Sequence, residues 1–154
     1  MIKDMVEEYL RGGSKLSDAI QGLSAADFQA MPVPGAWSIQ QIVLHLMDSD
    51  LVASERLKRI IAEDNPTIIG YNESAFAKKL FYDQQDPNLA ARIFAINRQL
   101  TYEILRRLPE SAYARFGTHN ERGRISLGEM VAMYIQHLEH HLRFLRSKRQ
   151  MLEK

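Results

Sequence analysis

Apolar residues recur at helical spacing along most of the chain. Ile2, Met5, Val6, Tyr9, Leu10, Leu16, Ile20 and Leu23 follow an i, i+3, i+4 rhythm that predicts a first helix, although Gly12 and Gly13 interrupt it at about 1 kcal/mol each relative to Ala. Pro32 and Pro34 punctuate the next loop. Ser38 with Gln41 then forms a capping box, and Trp37 stands where it can staple onto Ile42. The second helix follows as a stripe of Ile39, Ile42, Val43, Leu46, Ala53, Leu57, Ile60 and Ile61, running about six turns to the region of Ala62.

From Asn65 to Asp86 the rhythm breaks at Pro66 and Gly70 and resumes briefly around Glu73 to Phe81, which predicts a crossover carrying one short helix. Asp86 and Pro87 supply a cap and a proline at the first helical position, and Leu89, Ile93, Ile96, Leu100, Ile104 and Leu108 mark a third long helix. The stretch GTHNERGR reads as a turn-rich loop, with His119 as a solvated or locally hydrogen-bonded residue. Ser126 and Glu129 form a second capping box, and a fourth helix runs from there almost to the end, closing on Arg143, Arg146, Lys148 and Arg149, cations that suit a helix C-terminus. No repeat, low-complexity tract or strand pattern emerges. The expectation is an all-α chain, residues 1–154 forming one domain of four long helices and a short crossover helix.

Composition narrows the chemistry. Twenty Lys and Arg against nineteen Asp and Glu give a net charge of +1, so neither nucleic acid nor an anionic membrane is an expected partner. With no cysteine, disulfides, thiolate ligands and a cysteine nucleophile are excluded, and a metal site must use His and carboxylates. The longest apolar run, Met130 to Ile135, is six residues, far below the roughly 18 of a membrane span. Acidic residues in MIKDMVEEYL stand where a secretory signal is apolar, which points to the cytoplasm. Phosphate-cradling GxGxxG and GxxxxGK[ST], the GxSxG elbow and HEXXH are all absent.

Three of the five histidines fall in His137-Leu138-Glu139-His140-His141. At 100° per residue, Met130, Met133, Tyr134, His137, His141 and Phe144 share the face expected to point at the core, while His140 lies at its edge. An i, i+4 His pair can meet on one ion; equally, both rings could be core histidines satisfied by nearby hydroxyls. His45, at the flank of the second helix's stripe beside Ser49 and Val52, could join them or be an ordinary boundary residue. Asp48 could orient an imidazole from outside the ligand set, or be a solvated helix charge; Asp50, two residues on, faces elsewhere. Three imidazoles without a fourth protein ligand describe an open, catalytic type of site. No residue declares itself as a catalytic acid or base.

The stretch PVPGAWSIQQIVLHLMDSDLVASERLKRI resembles the Trp-Ser opening, His and following Asp of the DinB and YfiT superfamily, HLEHH resembles its C-terminal His motif, and HNERGRIS is similar to its turn before the last helix. The resemblance spans nearly the whole chain. It implies a four-helix bundle of the family's own topology, often a homodimer, with one divalent ion held by His45, His137 and His141 and not by His140. Relatives include bacillithiol-dependent S-transferases and mycothiol-dependent maleylpyruvate isomerase, in which the ion activates a low-molecular-weight thiol or water. The resemblance thus implies an enzyme acting on a small molecule, foremost transfer of a small thiol cosubstrate to an electrophile, with hydrolysis or a structural metal in a non-enzymatic stress or interaction protein as alternatives. The ion could be nickel, zinc, iron or copper. Many members carry Gln three residues after the last His, where this chain has Phe144. Ile, Leu, Met and Phe in the predicted walls suggest an apolar pocket with Tyr134 as its nearest polar group.

Overall fold

Side-chain caps set where the helices begin. Ser24, Ser38 and Ser126 each close a capping box with Asp27, Gln41 and Glu129, while Asn72 and Asp86 accept hydrogen bonds from the free N–H groups that follow them. The computed structural model describes residues 1–154. In chain order its elements are α1 (Ile2–Ile20), α2 (Ala25–Gln29), α3 (Ile39–Ala62), β1 (Thr67–Ile68), α4 (Glu73–Lys79), α5 (Pro87–Leu105), β2 (Phe116–His119), β3 (Gly123–Ser126) and α6 (Leu127–Met151). Short 3₁₀ turns at Tyr82–Gln84 and Glu110–Ala114 precede α5 and β2. No helix is long and apolar enough to cross a membrane.

The four long helices α1, α3, α5 and α6 form a bundle in which α1 and α3 each pack on both α5 and α6. Cross-contacts fix their directions. Gln40 on Gln85 and Asp50 on Asn97 make α3 and α5 parallel, whereas His45 on His137 and Arg56 on Tyr134 make α3 and α6 antiparallel. Parallel neighbours cannot be joined by a tight turn, so residues 63–86 return along the bundle carrying α4, the crossover that the sequence predicts.

The structure departs from the periodicity in several places. A three-stranded sheet exists where no strand is predicted, with β1 parallel to β2 and β2 antiparallel to β3. Its strands are two to four residues long, too short for alternation to show, and Gly123 at φ +79° lets the GTHNERGR stretch fold back as a hairpin. The five-residue α2 is missed for the same reason. On α5 the buried face is Ala90, Ala91, Phe94, Arg98, Thr101 and Leu105; Leu89, Ile96 and Leu100, which the periodicity assigns to the core, are exposed, and the helix stops short of Leu108.

The reason is Arg98. Its guanidinium lies inside the bundle, with Nε donating to Asp50 Oδ1 at 2.7 Å and its terminal nitrogens to the carbonyls of Tyr9 (3.0 Å) and Tyr134 (3.2 Å). It also stacks 4.1 Å from the Tyr9 ring centre and 4.8 Å from that of Phe94. Asn97 donates to the other Asp50 oxygen at 2.8 Å. This polar layer separates two apolar clusters, one around Leu16, Phe28, Val43, Phe94 and Leu142, the other around Val6, Leu57, Ile60, Leu127 and Val131. Gly12 makes room for it, because a Cβ there would stand 2.8 Å from both Arg98 Nη1 and Leu138 Cδ2. At the far end Arg149 donates to the carbonyls of Ala19 and Gln21, closing the C-terminus of α1, which has no basic residue of its own in its last turn.

Two outcomes follow from this layer. Gly12→Ala lowers the unfolding free energy by about 1–3 kcal/mol in urea titrations, against the gain of about 1 kcal/mol that the change gives at an unconstrained helical position. Arg98→Met, which strands the buried Asp50, lowers it by about 3–5 kcal/mol, and adding Asp50→Asn recovers part of the loss.

Candidate metal centre

Antiparallel packing of α3 on α6 brings His45 against the i, i+4 pair His137 and His141. One ligand atom from each lies within 4.8 Å of the other two, and His45 Nε2 is 3.2 Å from His137 Nε2. Donors around a tetrahedral ion at about 2.0–2.1 Å are about 3.4 Å apart, so the three rings are spaced to close on one ion with little movement. Ring centres are 4.6 Å apart for His45 and His141 and for His137 and His141, and 5.1 Å for His45 and His137.

Their electrostatics suit a cation. Burial, reinforced by His141, pushes the His45 pKa down to about 4; burial, then His141 and His45, pushes His137 to about 3; burial and His140 push His141 to about 4. All three are neutral at pH 7 and offer lone pairs. No carboxylate belongs to the cluster, so the donor set is wholly imidazole and leaves coordination positions for other ligands.

The helical wheel needs correction. His137 and His141 are not central to the inward face of α6: that face is Met130, Val131, Tyr134, Leu138, Leu142 and Leu145, and the two histidines flank it, half-buried. Phe144 is 49% exposed and has no place in the core. His45, read as a flank residue, is instead the fully buried member, with Trp37 tilted against its ring at 5.1 Å. His140 lies outside the cluster, exposed, edge-on to His141 and Phe144. Asp48 orients no imidazole. Its carboxylate accepts from the Tyr82 hydroxyl at 2.5 Å, and the buried His45 Nδ1 has no partner.

Beside His137 opens a cavity of about 200 Å³ between α3, α6, the crossover and the hairpin. Tyr134 lines it, but the wall is not the apolar one expected: Arg56, His119, Glu73, Glu121 and Arg122 contribute, with Ser49 and Tyr71. Tyr134 Oη accepts from Arg56 Nη1 at 3.0 Å. His119 is held by its hairpin, Nδ1 accepting from the backbone N–H of Glu121 (3.0 Å) and Arg122 (3.2 Å). Sequence reasoning passed over Arg56 and Tyr71, although Arg56 follows His45 and Ser49 along one line of α3, a spacing that could have drawn notice.

With this geometry in place, comparisons extend it. Residues 8–145 match the sequence model of the DinB superfamily. A protein of Oceanobacillus iheyensis named "Putative metal-dependent hydrolase" is 34% identical over 113 residues, 73% of this chain and 65% of the relative, so the chain spans somewhat less than two thirds of that relative's length. The similarly named YfiT of Bacillus subtilis is 25% identical over 130 residues, 84% of this chain and 73% of its own. Among solved structures, Bacillus subtilis YfiT, described as having an unusual four-helix bundle topology, superposes with a TM-score of 0.92 at 21% identity, covering 99% of this chain and 87% of that one. The mycothiol-dependent maleylpyruvate isomerase superposes with a TM-score of 0.74 at 13% identity, over 94% of this chain and 60% of that one. The four-helix bundle expected from the sequence is thus the fold this chain shares with YfiT, and part of the isomerase superposes on it.

The cluster predicts a pH profile for metal-free protein. Unfolded imidazoles take up protons near pH 6.5, folded ones at about 4, 3 and 4 for His45, His137 and His141. Between those limits the unfolded chain binds more protons, so urea midpoints fall as the pH drops from about 7 to about 4, and His137→Gln flattens the slope.

Proposed function

Because the chain belongs to the DinB superfamily and gathers three neutral imidazoles beside a cavity, we propose that it is a metal-dependent enzyme whose divalent ion is held by His45, His137 and His141. The observation that carries the reading is the convergence of three donor atoms within 4.8 Å, with no carboxylate among them. A divalent ion held there supplies Lewis acidity, which readies a small nucleophile at neutral pH. The protein does the rest. His45 is immobilised by complete burial under Trp37, so one donor is fixed before any ion arrives. His137 stands at the boundary between cluster and cavity, so a molecule in the cavity sits beside the donors. Tyr134, whose hydroxyl accepts from Arg56, stands in the wall of that space.

Transfer of a low-molecular-weight thiol to an electrophile is the first reading of the chemistry. The chain has no cysteine, so a thiol would enter as cosubstrate, and the mycothiol-dependent neighbour, by its name, uses such a thiol on the same fold. Hydrolysis is the second reading, supported by the names of the Oceanobacillus and Bacillus relatives.

Two measurements test this. Metal content after zinc or nickel loading falls to background in His137→Ala and stays near one ion per chain in His140→Ala; equal loss in both refutes the ligand set. Metal-loaded protein consumes a halogenated nitroarene only when bacillithiol or a similar thiol is added if it is a transferase, and cleaves esters or amides without thiol if it is a hydrolase. Turnover of neither, with a large loss of thermal stability on chelation, replaces both readings with a structural metal.

A further inference from the structure

The cavity beside His137 contains a cation that the fold does not neutralise. Arg56 is only 7% exposed, yet no carboxylate forms an ion pair with it. Its guanidinium donates to Tyr134 Oη at 3.0 Å and to the Ile69 carbonyl at 2.6 Å. A guanidinium carries five N–H donors, so most of its capacity meets no protein acceptor. The other buried arginine makes the contrast: Arg98 meets the carboxylate of Asp50 and two carbonyls. An uncompensated buried charge is costly, and a protein that keeps one beside a cavity has a use for an anion there.

One further donor belongs to the same wall. Tyr71 lines the cavity with its ring, its hydroxyl being buried beside Ser49. His119 accepts two backbone N–H groups at Nδ1, which leaves its proton on Nε2 and makes that nitrogen a donor. Glu73 and Glu121 also line the cavity, but both are exposed, on the crossover and the hairpin, where water screens them; exposed Arg122 stands with them.

We propose that this cavity is an oxyanion subsite in which Arg56, assisted by His119, binds a carboxylate or phosphate group of a small substrate and thereby sets the substrate's reactive end beside His137. The second half rests on the metal-enzyme reading; the first does not. A volume of about 200 Å³ accommodates the anionic end of a small molecule.

The test is titration of chelator-treated, folded protein with acetate, inorganic phosphate and neutral acetamide, followed by calorimetry and by the imidazole nitrogen resonances of His119. Saturable binding of acetate or phosphate, a shifted His119 Nε2 signal and no response to acetamide are expected; the anion that binds more tightly identifies the group as carboxylate or phosphate. Arg56→Gln weakens binding about tenfold or more, the loss of a charge-assisted hydrogen bond. His119→Asn, whose Oδ1 can keep accepting the hairpin N–H groups while the Nε2 donor is lost, weakens it about fivefold, and it decides the matter if Arg56→Gln does not fold. No saturable binding of either anion, or equal binding by wild type and both variants, overturns the subsite. Zinc binding by the wild-type protein is measured in parallel: zinc bound with no saturable anion binding removes the subsite alone, and anion bound with no zinc binding removes the metal reading alone.

Discussion

Everything in this bundle is arranged around the buried pairing of Arg98 with Asp50. Two charges enclosed by four helices survive only if nearly every hydrogen-bonding site is met, and the carbonyls of Tyr9 and Tyr134 and the amide of Asn97 meet them. Burial raises the Asp50 carboxyl, while Arg98 and Asn97 pull it back. Because those partners come from α1, α3, α5 and α6, the layer fixes the axial register of all four helices at once. A slip of one turn in any of them would leave a buried charge without its partner, a penalty that apolar clusters on either side could not impose, since one leucine contact substitutes readily for another.

Register matters for the histidines. His45 lies five residues before Asp50 on α3, and His137 lies three after Tyr134 on α6, so the layer that aligns Asp50 with the Tyr134 carbonyl also determines which histidines meet. The crossover and the hairpin then wall the cavity, the sheet joining Ile68 to His119 so that Gly70 and Tyr71 come to face the hairpin. The site is therefore built from both the bundle and the segments that return outside it.

Long elements were legible in the sequence because caps and apolar periodicity agree at Ser38, Asp86 and Ser126. What periodicity cannot reveal is a core face that carries a buried charge and few large apolar side chains. On α5 four of the six inward positions are small or polar, Ala90, Ala91, Arg98 and Thr101 beside Phe94 and Leu105, while Leu89, Ile96 and Leu100 lie outside, so the wheel points to the wrong side. The same weakness misplaced His137 and His141 at the centre of the stripe and His45 at its edge. The fold nevertheless brings His45, His137 and His141 together, and the i, i+4 spacing of the last two holds whichever way the helix is rotated. Asp48 was misjudged because its partner, Tyr82, sits in a 3₁₀ turn of the crossover, where no pattern in the sequence announces the contact. Gly12 and Gly13, read as flaws in a helix, are where α1 lets Arg98 and α5 come close.

The order in which the helices pack has a kinetic side. Successive long helices α1 and α3 are not packing partners, nor are α5 and α6; of the bundle's four packed pairs only α3 with α5 joins neighbours in sequence, and that pair is parallel and needs a long connection. No pair can therefore form as a local hairpin and template the next. The His45–His137 contact closes a loop of 92 residues, and the ion pair at the centre closes one of 48. Such contacts yield their stabilisation only after most of the loop entropy has been lost, so this mostly helical chain folds more slowly than helix content alone would suggest.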